Sequence, residues 1–566
     1  MVNYMNENEW EPTFDYDNFS DFVNPNRPWL KYWPSHIPKA IKFKPICVHD
    51  FIRQVAEDFP NNVAIYYEPE NIKYTYRELF WFADRISNAL QDLGIDKNNG
   101  VGVMTSNIPE FIFSIFGITQ TGAAITPINP LLKTSDVIHI IREAGHINTV
   151  FVNRGNYRTV KKARKSVEIE NIILLDTDKA KDDAMTFNEF IEGVAPIKPR
   201  INIDPMNDIA ALLFTGGTTG LPKGVMLTHN NLVHDALSVI SMQKVRFDDA
   251  KGKGSSLAIL PLCHTFGFEV VIIALAAAAM MIMFKAFDPA KVLKAIERFG
   301  VQVFTGVPVM YQMLVNHPDF TERDLSSLEG CTSGSAALPP EISKKWEQVT
   351  GVKVGQGFGL TETSPITHMQ SDWLPEIRPE SIGIPIIDTD SIIVNPLTLE
   401  ELEPNQTGEL LIRGPQVMKG YWQKLEATEK TIVKGGWLRT GDLCRMDEEG
   451  YFYIEGRAKD MIKYKGYKVM PREVEEKLYE HPAVLEAGVV GVPDPNIGET
   501  IKAFVVIKKE YEGKITEREL IEWSKEMLAG YKYPRQIEFI SSLPRTPVGK
   551  VFRRKLRELK EEENSN

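Results

Sequence analysis

The apolar run Ile209-Ala210-Ala211-Leu212-Leu213-Phe214 reads as a buried strand. It passes directly into Thr215-Gly216-Gly217-Thr218-Thr219-Gly220-Leu221-Pro222-Lys223-Gly224. Glycine lets backbone N–H groups approach an anion closely, threonine adds hydroxyl donors, and lysine adds a point charge. The combination has the chemistry of a polyphosphate cradle. It is not a Walker A loop, because Lys223 stands between Pro222 and Gly224 rather than ahead of Ser or Thr. Taken alone, such a loop is as readily a surface turn.

The flanking sequence predicts what carries the loop. Phe51, Ile52, Val55, Ala56 and Phe59 have helical spacing, whereas Val101–Met104, Val150–Val152, Ile172–Leu175, Leu257–Leu260 and Val301–Phe304 are short apolar strands. Alternation of this kind predicts doubly wound α/β layers. The longest apolar run, Val270 to Phe284, is shorter than the roughly 20 residues that span a bilayer. It is expected to form a buried helix and strand. After Ser381 short strands alternate with turns (Ser391–Val394, Gly408–Ile412, Tyr451–Ile454), which predicts a small β-barrel-like subdomain. After Gly456 charged helices (Pro471–Tyr479, Thr516–Met527) and strands (Ala487–Gly491, Ala503–Ile507) predict a separate α+β unit. Residues before about Pro45 are polar, aromatic and proline-rich, and read as an extension wrapped on the surface.

At 566 residues several domains or subdomains are expected. A net charge of −11 argues against nucleic acid as the main partner, but leaves small phosphorylated ligands open. Cys47, Cys263, Cys331 and Cys444 are scattered without metal-ligand spacing, so a reducing compartment and no structural metal are expected. The acidic N-terminus has no signal-peptide pattern.

Four further strings carry chemistry. In Gly355-Gln356-Gly357-Phe358-Gly359-Leu360-Thr361-Glu362 the glycines let backbone pack on a flat ring and Phe358 can stack on a base. Glu362 offers a hard oxygen ligand suited to Mg²⁺. Asp442, in Arg439-Thr440-Gly441-Asp442, can accept two ribose hydroxyls or simply make a turn. Arg457-Ala458-Lys459 begins a basic segment that reaches Gly466-Tyr467-Lys468. Leu543-Pro544-Arg545-Thr546-Pro547-Val548-Gly549-Lys550 presents one lysine on a Pro/Gly-rich turn.

These strings, in this order, resemble the motifs of the adenylate-forming superfamily of acyl-CoA synthetases, luciferases and peptide-synthetase adenylation domains. The family usually has Ser or Thr where this chain has Gly216, and more often Tyr where it has Phe358. The leader Arg27-Pro28-Trp29-Leu30-Lys31-Tyr32-Trp33-Pro34 looks like that of fatty-acyl-CoA ligases.

The resemblance implies an N-terminal extension (1–44), a large N-terminal domain (45–458) of two doubly wound subdomains plus the small β-subdomain, and a mobile α+β C-terminal domain (459–566) hinged at Lys459. It also implies that Thr215, Gly216, Gly217, Thr218, Thr219, Gly220 and Lys223 hold ATP phosphates, and that Gln356, Gly357, Phe358 and Gly359 hold adenine. Thr361 would contact the α-phosphate, Glu362 with Thr218 would serve Mg²⁺, and Asp442 and Arg457 the ribose and phosphate. Lys550 would steady the adenylation transition state. Gly466, Tyr467 and Lys468 would serve coenzyme A, and His264, Phe266, Val270, Thr332, Gly334, Ser335 and Gly359 the acyl group.

The expected activity is AMP-forming ligation of a medium- or long-chain fatty acid to coenzyme A. An aromatic-acid ligase and a free-standing enzyme loading a carrier protein are the alternatives. The substrates would be a small carboxylic acid, ATP and coenzyme A in the cytoplasm, with no nucleic acid and no transmembrane segment. Contact with a membrane surface and a homodimer are left open.

Overall fold

The computed structural model describes residues 13–15, 17–181, 183–215, 222–243, 251–494, 497–545 and 550–563. Among them two large sheets, both mostly parallel, form the body. The first has eight strands, ordered Gly420–Tyr421, Gly224–Thr228, Ile209–Phe214, Ala124–Pro127, Gly100–Met104, Ile147–Val152, Asn171–Leu174, Met185–Thr186. The second has seven, ordered Val354–Gln356, Gly330–Ser333, Val303–Gly306, Ser255–Ala258, Met280–Met283, Val63–Tyr67, Ile72–Thr75. Antiparallel pairing is confined to the margins: Gly224–Thr228 pairs antiparallel with both Ile209–Phe214 and Gly420–Tyr421 in the first sheet, and Ile72–Thr75 with Val63–Tyr67 in the second.

Parallel strands need crossover connections, and helices supply them. The apolar run after Phe266 divides as expected into the helix Thr265–Ala276 and the strand Met280–Met283. Local sequence starts several helices. Thr75 and Glu78 form a reciprocal capping box ahead of Tyr76–Asp92, and Thr516 with Glu519 does the same for Glu517–Met527. The strand expected at Val301–Phe304 begins instead at Val303, because Gly300, at φ +59°, caps the preceding helix and Val301 is spent as a buried anchor.

A three-stranded antiparallel sheet (Phe358–Gly359, Ile366–Met369, Ile384–Pro385) leads into a five-stranded one built on Gly408–Arg413 and Trp437–Met446. The bridge Gly383–Phe452 joins the two. A last mixed sheet comprises Tyr467–Val469, Ile462–Tyr464, Gly498–Ile507, Val484–Asp494 and Gln536–Phe539. Helices Pro471–Tyr479, Glu517–Met527 and Arg553–Glu563 accompany it.

The leader is a fastener as well as a surface wrap. Trp29 is buried against Phe452, with ring centroids 5.6 Å apart, and a Cβ on Gly450 would lie 2.4 Å from the Trp29 backbone nitrogen. Arg27 Nε meets buried Asp390 at 2.8 Å, and the Ile41 N–H donates to Asp388 at 3.0 Å. Asp388 also pairs with His234 at 3.0 Å. No helix among the described residues is long and apolar enough to cross a membrane.

Candidate active site

Parallel α/β sheets place ligands beyond the carboxyl ends of their strands, and part of the set singled out above, Lys550, His264, Asp442, Arg457 and Glu362, is electrostatically coupled. Thr215 follows the end of Ile209–Phe214, and its N–H donates to the Lys223 carbonyl at 3.0 Å, closing the base of the glycine loop. Gly216, Gly217, Thr218, Thr219 and Gly220 lie outside the described residues. Lys223 directs its ammonium over the Tyr421 ring, 4.7 Å from the centroid. The Tyr421 hydroxyl donates to Glu362 Oε1 at 2.8 Å, and burial together with that carboxylate pushes the phenol well above its ordinary pKa. Lys223, Tyr421 and Glu362 thus form one row.

Thr361 and Glu362 open a single 3-10 turn after the short strand Phe358–Gly359. Gly359 is obligatory here: a Cβ would fall 1.6 Å from the Pro365 carbonyl oxygen. Phe358 packs edge-on to His368, with centroids 6.0 Å apart. The side chain of Gln356 is committed elsewhere. Its Oε1 accepts from the Leu338 N–H at 2.9 Å, and its amide donates to the Pro379 carbonyl. Gln356 therefore ties down the Thr332–Pro339 segment. Within that segment Gly334 lies under Phe266, whose ring would sit 2.9 Å from an added Cβ, and the Thr332 carbonyl accepts from the Tyr311 hydroxyl at 3.0 Å. Ser335 holds φ +72°. Val270 and Phe266 are half-buried on the helix Thr265–Ala276.

His264 is the N-cap residue of that helix. Its Nε2 lies 3.1 Å from Asn129 Nδ2, and Asn129 comes from the loop after the strand Ala124–Pro127. Burial and the nearby Lys550 charge lower the imidazole pKa to about 4, so the ring is neutral near pH 7. Asp442 is buried and paired with Arg457, Nε to Oδ1 at 2.7 Å, while its other oxygen has no partner. Burial raises its pKa against the opposing pull of Arg457, Lys550 and Lys459.

Lys550 completes the cluster from the far end of the chain. Burial and Arg457 push its ammonium below the ordinary lysine range, and Asp442 and Glu362 pull the other way. The described residues flanking it are braced. Arg545 bridges to Val551, the Phe552 N–H donates to the Pro544 carbonyl at 2.8 Å, and Arg545 and Arg553 pair with Glu486 and Glu475 at 2.8 and 2.7 Å. The Arg472 guanidinium, donating to the Ile454 carbonyl at 2.6 Å, holds the last sheet against the body.

Gly466 lies apart from this cluster. It forms the exposed turn between Ile462–Tyr464 and Tyr467–Val469, at φ +83°, with nothing within 4 Å of an added Cβ. Tyr467 stacks on Tyr531 (4.4 Å), and Lys468 is exposed. Lys459 follows Arg457 in the turn that leads from the body into the last sheet.

Sequence reasoning missed Tyr421 and Asn129. Asn129 sits in the Asn129-Pro130 turn just after the strand Ala124–Pro127, where such a turn is the available signal, whereas Tyr421 lies in the two-residue edge strand Gly420–Tyr421, which no local pattern marks.

A family model described as AMP-binding enzyme matches residues 52–422, and one described as AMP-binding enzyme C-terminal domain matches residues 473–550. The chain belongs to the AMP-binding enzyme family. A long-chain-fatty-acid–CoA ligase of Bacillus subtilis (strain 168) is 37% identical to it, over 94% of this chain and 98% of that one. Two solved structures share its fold at 28% identity: ATP-bound MatB from Rhodopseudomonas palustris and the anthranilate CoA ligase AuaEII in complex with anthranoyl-AMP. Their TM-scores are 0.82 and 0.84, covering 91% and 92% of this chain and 99% and 98% of those.

Proposed function

We propose that this enzyme is an AMP-forming fatty acyl-CoA synthetase acting on a medium- or long-chain acid. The observation that carries the reading is the meeting of Lys550, Asp442, Arg457, Glu362 and His264, drawn from distant parts of the chain, in one electrostatically coupled cluster. In the first half-reaction a carboxylate oxygen of the acid bonds to the α-phosphorus of ATP. The bond to the β-phosphate oxygen breaks and pyrophosphate leaves. The Lys550 ammonium offsets repulsion between the two anions and the charge that grows at phosphorus. Thr361 contacts the same phosphate. The unpartnered oxygen of Asp442 accepts from ribose hydroxyls while Arg457 fixes the carboxylate.

Neutral His264 faces the acid without adding a competing cation. When Asn129 donates to Nε2, Nδ1 carries the ring proton and can donate to the carboxylate. Thr215, Lys223 and the glycine loop hold the β- and γ-phosphates. Glu362 suits a resident Mg²⁺, because its carboxylate is a hard ligand with one oxygen committed to Tyr421. Such an ion would neutralise phosphate charge.

In the second half-reaction the coenzyme A sulfur bonds to the acyl carbon and AMP departs. Lys550 and Gly466 belong to one C-terminal body (459–566), and rotation about Lys459 would withdraw the first and bring up the second with Tyr467 and Lys468. Phe266, Val270, Thr332, Gly334, Ser335 and Gly359 would line the acyl site. A fatty acid is supported by the 37% identity to the B. subtilis ligase. An aromatic acid is the second reading, supported by the likeness to the anthranilate ligase. Four free, buried cysteines support a cytoplasmic enzyme.

The test is pyrophosphate release from ATP with acids from acetate to palmitate and one aromatic acid, each with and without coenzyme A. Coenzyme-A-dependent turnover that peaks at medium or long chains is expected. A peak at the aromatic acid selects the second reading, and adenylate without coenzyme A turnover points to a carrier-protein acceptor.

A further inference from the structure

Away from this cluster, three side chains with metal-binding atoms converge beside a cavity. Cys47 and His49 flank the first residue of the helix Val48–Asp58, and His229 opens the helix His229–Met242. One ligand atom from each lies within 4.8 Å of the others. All three residues are buried, His49 at 2% exposure and His229 at 0%. His49 Nδ1 and His229 Nε2 have no hydrogen-bond partner. Two orphaned imidazole nitrogens in one buried pocket call for an explanation.

The adjoining cavity, about 420 Å³, is lined by Cys47, His49, Asp50, Gln120 and the segment 198–203. It offers a way in and room for a water ligand. We propose that Cys47, His49 and His229 form a site for a divalent thiolate- and imidazole-binding metal, Zn²⁺ by ligand class, with water from the cavity as fourth ligand.

The surroundings suit this assignment. His49 Nε2 lies 3.6 Å from Asp50 Oδ2, longer than a hydrogen bond, so a small closing of the two side chains would be needed for the carboxylate to orient a metal-bound ring. Of the cations nearby, Lys198 is paired with Asp50 and Arg53 with Asp84, and Arg200 lines the cavity. His229 Nδ1 accepts the Val48 N–H at 3.3 Å, so the metal-free ring carries its proton on Nε2. Ligation at Nε2 moves that proton to Nδ1 and gives up this long hydrogen bond. Cys47 binds as thiolate and releases its proton to the cavity. Tetrahedral ligation also requires the side chains to close by about 1 Å. The site would pin the segment that follows the leader to the helix that follows the glycine-loop hairpin.

The test uses the full-length enzyme, stripped with chelator and titrated with Co²⁺ and then Zn²⁺. One tightly bound equivalent is expected, with a thiolate-to-cobalt charge-transfer band that Zn²⁺ abolishes. Cys47→Ser removes the band, His49→Gln weakens binding at least tenfold, and both variants keep their circular dichroism and adenylation. Should either variant fail to fold, protection of Cys47 from alkylation by Zn²⁺ in the wild-type enzyme gives the same reading. Absence of the band in wild type, or stoichiometric binding unchanged in both variants, overturns the proposal.

Discussion

Replacing Lys550 with alanine should separate the two half-reactions. An ammonium about 4 Å from developing charge, at an effective dielectric of about 20, is worth roughly 4 kcal/mol, a factor of about 10³ in rate. Direct removal of comparable donors elsewhere costs about 10²–10³. Lys550→Ala is therefore expected to slow pyrophosphate release by two to three orders of magnitude, ~10²–10³. The Asp442–Arg457 pair at 2.7 Å survives the change, so ATP affinity should move far less than the rate.

The partner assay supplies synthetic acyl-AMP and coenzyme A and follows thioester formation, which should stay near wild type. A pH profile adds a check. The charged amine is the active form and its pKa is lowered, so adenylation should fall on the alkaline side at a pH below the ordinary lysine value of about 10.4. That limb should vanish from the residual activity of the variant. Equal loss in both half-reactions, or an unchanged alkaline limb, would refute the role given to Lys550.

Gly466→Leu should do the reverse, sparing pyrophosphate release and blocking thioester formation. Gly513→Leu, at a similar φ of +69° in another turn of the same region, controls for backbone strain, and equal defects would sink the assignment. Trp29→Ala should cost about 3–5 kcal/mol in denaturant unfolding, as for other buried aromatics; a loss under about 1 kcal/mol would mean that the leader is only draped on the surface. Asp235 and Glu269 are fully buried neighbours whose pKa values burial raises, Glu269 being without any partner. Unfolded, they ionise near pH 4, so folding retains protons and stability falls as pH rises from there towards the raised folded values. Asp235→Asn with Glu269→Gln should then raise the melting temperature more at pH 8 than at pH 5. Parallel wild-type and variant curves would contradict that.

The parallel strands were legible because each is local. The apolar run Ile209–Phe214 stops at Thr215, and the strand stops with it. What was illegible is contact across long separations. Gln356 sits in a motif, yet its amide is spent on Leu338 and Pro379, which no local pattern announces. Tyr421 reaches Glu362 from 59 residues away, and Asn129 reaches His264 from 135. Spacing along the chain likewise cannot register that His229 folds to within 4.8 Å of Cys47 and His49. The leader resembled surface wrapping because Trp29 has no periodic partners in sequence.

The leader also sets a timetable. Arg27 and its partner Asp390 are separated by 363 residues. At a synthesis rate of roughly 5–20 residues per second, the leader waits about 20–70 s on the ribosome before its seat exists. For that interval Trp29, Trp33 and Ile37 are exposed on a nascent chain. Pro25, Pro28, Pro34 and Pro38 punctuate the same stretch, and proline denies a waiting segment the uninterrupted strand pairing that seeds aggregation. The prolines that shape the finished fastener thus also guard it while it has nothing to fasten.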